Sequence, residues 1–359
     1  MLAVRILMEQ GVEVTGLSFK SYFFGTAKAR KVAEQLGIEL LEVDFSDEHL
    51  AMVKNPKYGY GKNMNPCIDC HALMLKKAKD IMENPPCPPC QGGKSPQPPF
   101  VKGGYDFVAT GEVLGERPMS QNAAALKIVE KDSGLAGKLI RPLSAKLLEE
   151  SELEKTGQVN RGRLLDISGR SRRRQLKLVK KYGIKDYSSP DGGCLLTDPA
   201  FSEKLLKILE YWPDCGGNDI ELLKNGRVFW LKNESGEYII MVVGRDKKNN
   251  ENLESLARSG DLMIELAGEN GPTCLIRSIK YQVSSIMERE IQVPEELKMS
   301  ELKLGEGKSE KEILEIAMVL TGYYATKTRG KKVKLNIINK FTPLNPRQSG
   351  VCQRQNLTG

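Results

Sequence analysis

Histidine is scarce in this chain: only His49 and His71 occur among 359 residues, which leaves a histidine-based mechanism little to work with. Long apolar runs are missing as well. None approaches the roughly 18 residues that a membrane span needs, and the N-terminus lacks the layout of a secretory signal. The expectation is a cytoplasmic protein with no membrane partner. The excess charge is modest too, a net +8, so its position matters more than its sum. What is present is 40% hydrophobic and 28% charged residues, the composition of a globular protein, in a length that suggests two domains or three. Eight cysteines, four of them in two Cys-x2-Cys pairs, fit metal or redox chemistry in a reducing compartment better than a disulfide scaffold.

The first of those pairs lies in Asn65-Pro66-Cys67-Ile68-Asp69-Cys70-His71. Behind it Met74, Ala78, Ile81 and Met82 recur at helical spacing, so a helix beginning near His71 is expected to bury that face. Cys67 and Cys70 then sit at a helix N-terminus, where free amides and the helix dipole favour thiolate, the form that attacks electrophiles or binds metal. His71 reads as a helix-start residue rather than a ligand. A reduced pair of buried cysteines is the alternative at this point.

Upstream, residues 1 to 10 read as a helix closed by Gly11, Val12 to Leu17 as a strand, Thr26 to Leu36 as a helix stopped by Gly37, and Ile38 to Phe45 as a strand. A further strand is expected at Tyr105 to Thr110. This alternation argues for an α/β fold with a doubly wound parallel sheet, which binds ligands at the carboxyl ends of its strands. The opening strand and glycine-rich phosphate loop of such a fold are not in the sequence. Either the start is truncated or misassigned, which is the expectation, or phosphate binding has been lost. Asn84 to Gly104, rich in proline and glycine, reads as a surface insertion; its Cys87 and Cys90 lie sixteen residues beyond the first pair, a spacing that matches a four-cysteine Zn2+ site with Cys67 and Cys70.

Between Val159 and Lys185 ten Lys or Arg face a single acid, Asp166. Arg170, Arg172, Arg173, Arg174 and Lys177 fall in or just before an expected helix whose apolar contacts are Leu176, Val179 and Tyr182, a density that suits a phosphate backbone. Gly192 and Gly193 then let the chain turn tightly at Cys194. A boundary is expected after Trp212, with a linker at 213–218. Beyond it, strands at Arg227 to Leu231, Tyr238 to Gly244, Leu262 to Leu266, Thr273 to Arg277 and Lys331 to Ile338, with helices near Asn250 to Arg258 and at Glu310 to Tyr324, form a small α+β domain at 219–340. The basic residues from Lys327 to Lys334 suggest a second nucleic-acid surface. A polar tail at 341–359 is expected to be disordered.

Four segments together resemble the PP-loop tRNA thiolation enzymes, adenine nucleotide alpha hydrolases that include 4-thiouridine synthases and 2-thiouridylases. They are Asn-Pro-Cys-Ile-Asp-Cys-His at 65–71, Thr-Gly-Glu-Val-Leu-Gly-Glu-Arg-Pro-Met-Ser-Gln at 110–121, Gly-Arg-Ser-Arg-Arg-Arg at 169–174 and Gly-Gly-Cys-Leu-Leu-Thr-Asp at 192–198. The region from Asp219 to Ile338 is similar to the RNA-binding domain of the NFACT proteins.

The resemblance implies an N-terminally truncated PP-loop ATPase-like tRNA sulfurtransferase domain over 1–212. Its chemistry would be adenylation of a tRNA uridine with ATP and Mg2+, followed by sulfur insertion. In the iron-sulfur branch three cysteines, here Cys67, Cys70 and Cys194, would hold a [4Fe-4S] cluster with one iron left open; in the persulfide branch the same residues would be nucleophile and partner. Nucleotide contacts would fall at Leu17, Ser18, Phe19, Gly111, Glu112 and Gln121. The implied partners are tRNA and a sulfur donor, either sulfide or the persulfide of a cysteine desulfurase, and a homodimer is compatible. The family's Ser-Gly-Gly-x-Asp-Ser loop is not in the sequence. The competing expectation is a non-catalytic RNA-binding protein with structural zinc at Cys67, Cys70, Cys87 and Cys90.

Overall fold

The computed structural model describes residues 1–85, 104–185, 187, 193–279, 281 and 286–339. Most of the proline-rich insertion, with Cys87 and Cys90, and the tail from 341, with Cys352, lie outside them. The protein is mixed α/β and divides into two compact units, Met1–Ser202 and Glu203–Gly359. Among the described residues no helix is long and apolar enough to cross a membrane.

Unit 1 runs α1 (Leu2–Met8), β1 (Gly16–Lys20), α2 (Ala27–Leu36), β2 (Leu40–Asp44), α3 (Ser46–Lys54), α4 (Cys67–Glu83), β3 (Val108–Ala109), α5 (Ala123–Ser133), β4 (Leu139–Ile140), α6 (Glu152–Lys155), α7 (Arg173–Lys181) and the start of α8 (Pro199–Tyr211). Its strands pair in parallel, β1 with β2 and β3 with β4, as two separate two-stranded sheets. The first strand begins later than its sequence suggests. Val12 and Val14 look like strand residues, but the amides of Gly11 and Val12 bond back to Met8 and Leu7, so that stretch closes α1 and the strand starts at Gly16. Likewise the strand expected over Tyr105 to Thr110 shortens to the two residues of β3. Helix α2 ends as expected at Gly37, whose φ of +68° suits a left-handed cap.

The expected boundary after Trp212 falls instead after Ser202, inside α8. Within unit 1, Phe201 meets Phe23 edge to face; within unit 2, Tyr211 stacks on Tyr238 at 3.7 Å and the Trp212 indole donates to the Tyr238 carbonyl.

Unit 2 adds α9 (Gly217–Leu222), β5 (Arg227–Asn233), β6 (Tyr238–Val243), α10 (Lys247–Leu256), β7 (Leu262–Leu266), β8 (Cys274–Arg277), β9 (Met287–Gln292), β10 (Gly307–Lys308), α11 (Glu310–Tyr324) and β11 (Lys332–Asn339). These strands form one seven-stranded sheet in the order β10-β5-β6-β8-β7-β11-β9, antiparallel except for β10 beside β5. Ser309 and Glu312 close a capping box at the start of α11, which then lays Ile313, Leu314, Ala317 and Leu320 on the sheet. Gly226 is required where the chain enters β5: its φ is +155°, and a side-chain carbon there would lie 2.4 Å from the Val243 carbonyl oxygen.

Arg277, at the end of β8 and 5% exposed, is the charged centre of this unit. Its guanidinium donates to Asp261 at 2.7 Å, Asp219 at 2.7 Å, Asn218 at 2.8 Å and the Leu256 carbonyl at 2.9 Å, joining β8 to α9 and to the end of α10.

Candidate thiol site

Helix α4 begins at Cys67, a turn earlier than the sequence suggests, so both thiols of the pair lie in its first turn and His71 in its second. Ala78 and Met82 are buried as expected, while Met74 and Ile81 are only half-buried and Leu75 turns inward with them. Asp69 fixes this helix start. Its carboxylate, 8% exposed, accepts from the backbone N–H groups of Lys57 at 2.9 Å and Tyr58 at 3.1 Å, which folds the preceding loop back on the helix.

That loop carries Asn63, whose φ of +57° aims its amide at the second cysteine segment: Nδ2 donates to the Thr197 carbonyl at 2.7 Å. Thr197 in turn donates through Oγ1 to the Cys194 carbonyl at 2.7 Å, and the N–H of Leu195 bonds to the Phe23 carbonyl at 3.0 Å. The charges of Cys194 and Cys67 act on Cys70, and that of Cys67 on Cys194.

The expectation that the helix terminus would make Cys67 and Cys70 acidic is overturned. Burial pushes Cys67 up, against the nearby Arg117 guanidinium and the Ser120 hydroxyl, which pull the other way. Cys70 is pushed well up by burial and then by the charges of Cys194, Cys67 and Asp69. Burial raises Cys194 to about 11. Loss of water around a sulfur anion outweighs what one helix terminus returns. A soft cation reverses that balance, because a coordinating thiol deprotonates outright.

All five described cysteines are free thiols, and three of them form this group. They are the residues that could hold a soft metal centre. Among the described residues no three Cys, His, Asp or Glu side chains are gathered tightly enough for a single metal ion.

Next to Cys70 in the chain, His71 belongs to a buried charge network that no sequence pattern announces. Glu112, 8% exposed, accepts at Oε1 from His71 Nδ1 (2.9 Å) and at Oε2 from Arg141 Nε (2.9 Å) and Thr110 Oγ1 (3.0 Å). Arg141 also donates to Glu130 at 2.9 Å and to the Leu126 carbonyl at 3.1 Å. Burial alone would raise the Glu112 carboxyl, but the His71 bond and the two cations hold it at about 2. His71 is therefore not a mere helix-start residue, and Glu112, expected at a nucleotide, spends its oxygens inside the protein. Only the adjacency of His71 to Cys70 was a signal in the sequence; Arg141 had none.

Leu17, Ser18 and Phe19, expected just past a strand, lie within β1, and the Phe19 ring packs on Phe45 at 5.2 Å. Just past the carboxyl end of β1 lies Ser21, whose hydroxyl is 2.6 Å from Nδ1 of the fully buried His49. Phe23, Phe24 and Phe45 surround that imidazole, and its Nε2 has no partner among the described residues. Gly111 is exposed, with open space around it, two residues past β3. Gln121 is buried, and its N–H and C=O close the loop 113–122 against Arg117 and Gly115.

Burial pulls His49 down from 6.5 to about 4, so the fold disfavours its protonated form. Its contribution to stability is complete above pH 6.5 and is lost progressively as pH falls toward 4. His49→Phe removes the titration while keeping an aromatic ring. Melting temperature against pH should lose its drop in that window in the variant; an unchanged profile would show that His49 does not set the acid response.

In the basic segment α7 starts at Arg173, with Arg170 and Arg172 ahead of it. Arg170, Arg173, Arg174 and Lys177 are exposed and Arg172 is half-buried. Arg174 is paired with Asp166, which removes one charge from the set. Leu176, expected inside, is 39% exposed, because the helical register turns Gln175 and Val179 inward instead. Compared with known proteins, the chain matches no family model, no curated protein and no solved structure.

Proposed function

We propose that this protein is a cytoplasmic, ATP-dependent tRNA sulfurtransferase whose sulfur chemistry takes place at Cys67, Cys70 and Cys194. One observation carries the reading: a tethered loop gathers a Cys-x2-Cys pair and a third cysteine from the far end of the unit. In the reaction a uridine carbonyl oxygen attacks the α-phosphorus of ATP and diphosphate leaves, with Mg2+ offsetting the phosphate charge. Sulfide then attacks the activated carbon, and AMP departs with the former carbonyl oxygen; where a desulfurase persulfide is the donor, its outer sulfur attacks the carbon, a second thiol cleaves the resulting S–S bond to give a disulfide, and an external thiol reductant restores the dithiol. Cys67, Cys70 and Cys194 would hold a [4Fe-4S] cluster, which would supply binding and activation of a sulfur ligand.

The parallel pairs β1–β2 and β3–β4 are parts of one doubly wound sheet in this reading, with the nucleotide near the ends of β1 and β3. Gly111 offers backbone contact there, and Leu17, Ser18, Phe19 and Gln121 shape the surroundings. The α+β unit adds RNA affinity. The test is anaerobic reconstitution with iron and sulfide of the protein expressed from its full natural reading frame. Incubation with ATP, Mg2+ and tRNA is followed by mass spectrometry of the nucleosides. Thiouridine above the ATP-free control is expected; none would overturn the proposal.

Arg170, Arg173 and Lys177 are exposed and form no ion pair among the described residues, and in this reading they meet the tRNA backbone. Replacing all three by Gln should weaken tRNA binding and make the slope of log affinity against log salt shallower by roughly 2 to 3. An unchanged slope removes this segment from the RNA surface.

A further inference from the structure

We propose that the loop ahead of α4 is a stacking platform for unpaired nucleotides of RNA, with Tyr58 and Tyr60 as its base-facing rings. The inference rests on the sulfurtransferase reading for its partner and adds the surface on which RNA beside the reacting base is laid. Tyr58 at 38%, Tyr60 at 40% and Met119 at 58% are among the large hydrophobic side chains left exposed in unit 1. They lie together, since a side-chain carbon at Gly61 would touch Met119 at 3.9 Å. Each tyrosine is fixed at its polar end. Tyr58 Oη donates to Asp132 at 2.8 Å and Tyr60 Oη to the Val53 carbonyl at 2.6 Å, which holds the rings in place while they remain open to solvent. The backbone is fixed as well: Asp69 accepts from the Lys57 and Tyr58 amides, and the Gly61 amide donates to the Asn65 carbonyl at 2.8 Å. Gly59, with φ of +72°, turns the chain between the two rings. Exposed rings already held in position lose little freedom when a ligand stacks on them.

Charge points to a nucleic acid as the occupant. Residues 51–66 hold Lys54, Lys57 and Lys62 and no acid. Lys57 is held by Asp132 and lies 4.8 Å from the centroid of the Tyr58 ring, while Lys62 is exposed and forms no ion pair among the described residues. Arg117, two residues before Met119, adds positive charge that reaches Cys67 and Cys194. A nucleobase has two apolar faces and an anionic backbone beside it, so aromatic rings flanked by cations suit it. Single strands fit best, because in a duplex those faces are covered by neighbouring pairs. The same loop is joined to the chemistry. Asn63 bonds to Thr197, three residues beyond Cys194, and Ser120, next to Met119, acts on the Cys67 thiol. Nucleotides stacked on the tyrosines therefore border the segments that carry the thiols, and the substrate uridine is presented from a single-stranded stretch whose neighbouring bases the platform holds.

The measurement is binding of the full chain, without ATP, iron or sulfide, to three fluorescent probes: decauridylate, an abasic ribose phosphate oligomer of the same length, and the duplex of decauridylate with decaadenylate. Wild type is compared with a double variant carrying Tyr58→Leu and Tyr60→Leu and with one carrying Tyr58→Phe and Tyr60→Phe. Wild type should favour decauridylate over both other probes. The Leu pair should bind decauridylate about 5- to 100-fold more weakly and the abasic oligomer as before, since every charge is kept and only the rings are lost. The Phe pair, which keeps the rings, should stay close to wild type. Irradiating decauridylate that carries one 5-iodouridine should cross-link it to the peptide containing Tyr58 and Tyr60. Melting curves identify any variant that has lost its fold. A folded Leu pair that binds decauridylate as wild type does, or that loses both single-stranded probes alike, overturns the inference. So does a Leu pair that loses only the binding of a cysteine desulfurase, which makes the surface a protein contact. Thiouridine formed by wild type alongside those results leaves the sulfurtransferase reading intact. Platform binding as expected from a protein that forms no thiouridine overturns that reading and leaves the platform an RNA contact without it.

Discussion

Cys194→Ala should abolish iron and acid-labile sulfide binding and reduce thiouridine formation to background, whereas Cys87→Ala should leave both unchanged. Wild-type protein reconstituted without oxygen should hold about four irons and as many sulfides per chain. The expectation follows from the way the third thiol is brought in. Its carbonyl is held by Thr197, which Asn63 ties to the loop ahead of Cys67 and Cys70. Removing the Cys194 sulfur leaves two thiols whose surroundings favour the neutral form, since burial pushes both of them up. Two such thiols do not make the three-ligand set. The opposite pattern, with metal surviving Cys194→Ala and lost in Cys87→Ala, would shift the centre to the two Cys-x2-Cys pairs and remove the ground for sulfur transfer. Measuring iron, zinc and sulfide on the same samples distinguishes these outcomes directly.

The largest loss of stability is expected from Arg277→Met. Methionine is close in length and leaves the apolar contacts of β8 in place, but Asp261 and Asp219, 3% and 6% exposed, lose their shared cation. Breaking a buried ion pair from one side costs about 3–5 kcal/mol, because the remaining carboxylate is uncompensated. For a unit of this size that lowers the melting temperature by roughly 6 to 20 °C. Burial by itself would raise the Asp219 carboxyl; the Gly216 amide, Arg277 and Arg258 together bring it below its usual range. Stability from that carboxylate is therefore full above its unfolded pKa of 3.8 and is lost as pH falls through the depressed folded value. Calorimetry on wild type and variant tests the figure. A shift below about 1 kcal/mol would mean that water reaches the carboxylates and that the network contributes little.

The second unit was the more legible from sequence, and the reason is local. Leu262–Leu266 and Glu310–Tyr324 have the bounds the sequence suggests, because one is an apolar β run ended by small residues and the other opens with a capping box. Strand β9, Met-Glu-Arg-Glu-Ile-Gln, was missed. It is the charged edge of the sheet, and its strand state comes from pairing with β11, including the Lys334–Glu288 ion pair, rather than from its own pattern.

In the first unit α3 went unseen, although Ser46-Asp47-Glu48 supplies an acidic first turn and Asp44 accepts from the Ser46 amide. The thiol group was legible only through motif resemblance; what the structure shows is the tie from Asn63, ahead of Cys67, to Thr197 behind Cys194. The His71–Glu112–Arg141 network was not, since its parts come from α4, the loop after β3 and the end of β4, and meet only when the unit is folded. Expecting acidic thiols failed for a related reason: a sequence displays the helix start but not how much water the packing removes.

The tether from Asn63 to Thr197 also sets an order of events during synthesis. Cys70 leaves the ribosome 124 residues before Cys194, which at about 5–20 residues per second is roughly 6 to 25 s. Through that interval the emerging chain carries a dithiol without its third member, and the Asn63 amide has no Thr197 carbonyl to hold. On the sulfurtransferase reading, loading of the site would wait for translation of the loop at 194–197, and a pause placed ahead of that loop would prolong the exposure of the pair to oxidants and to competing ions.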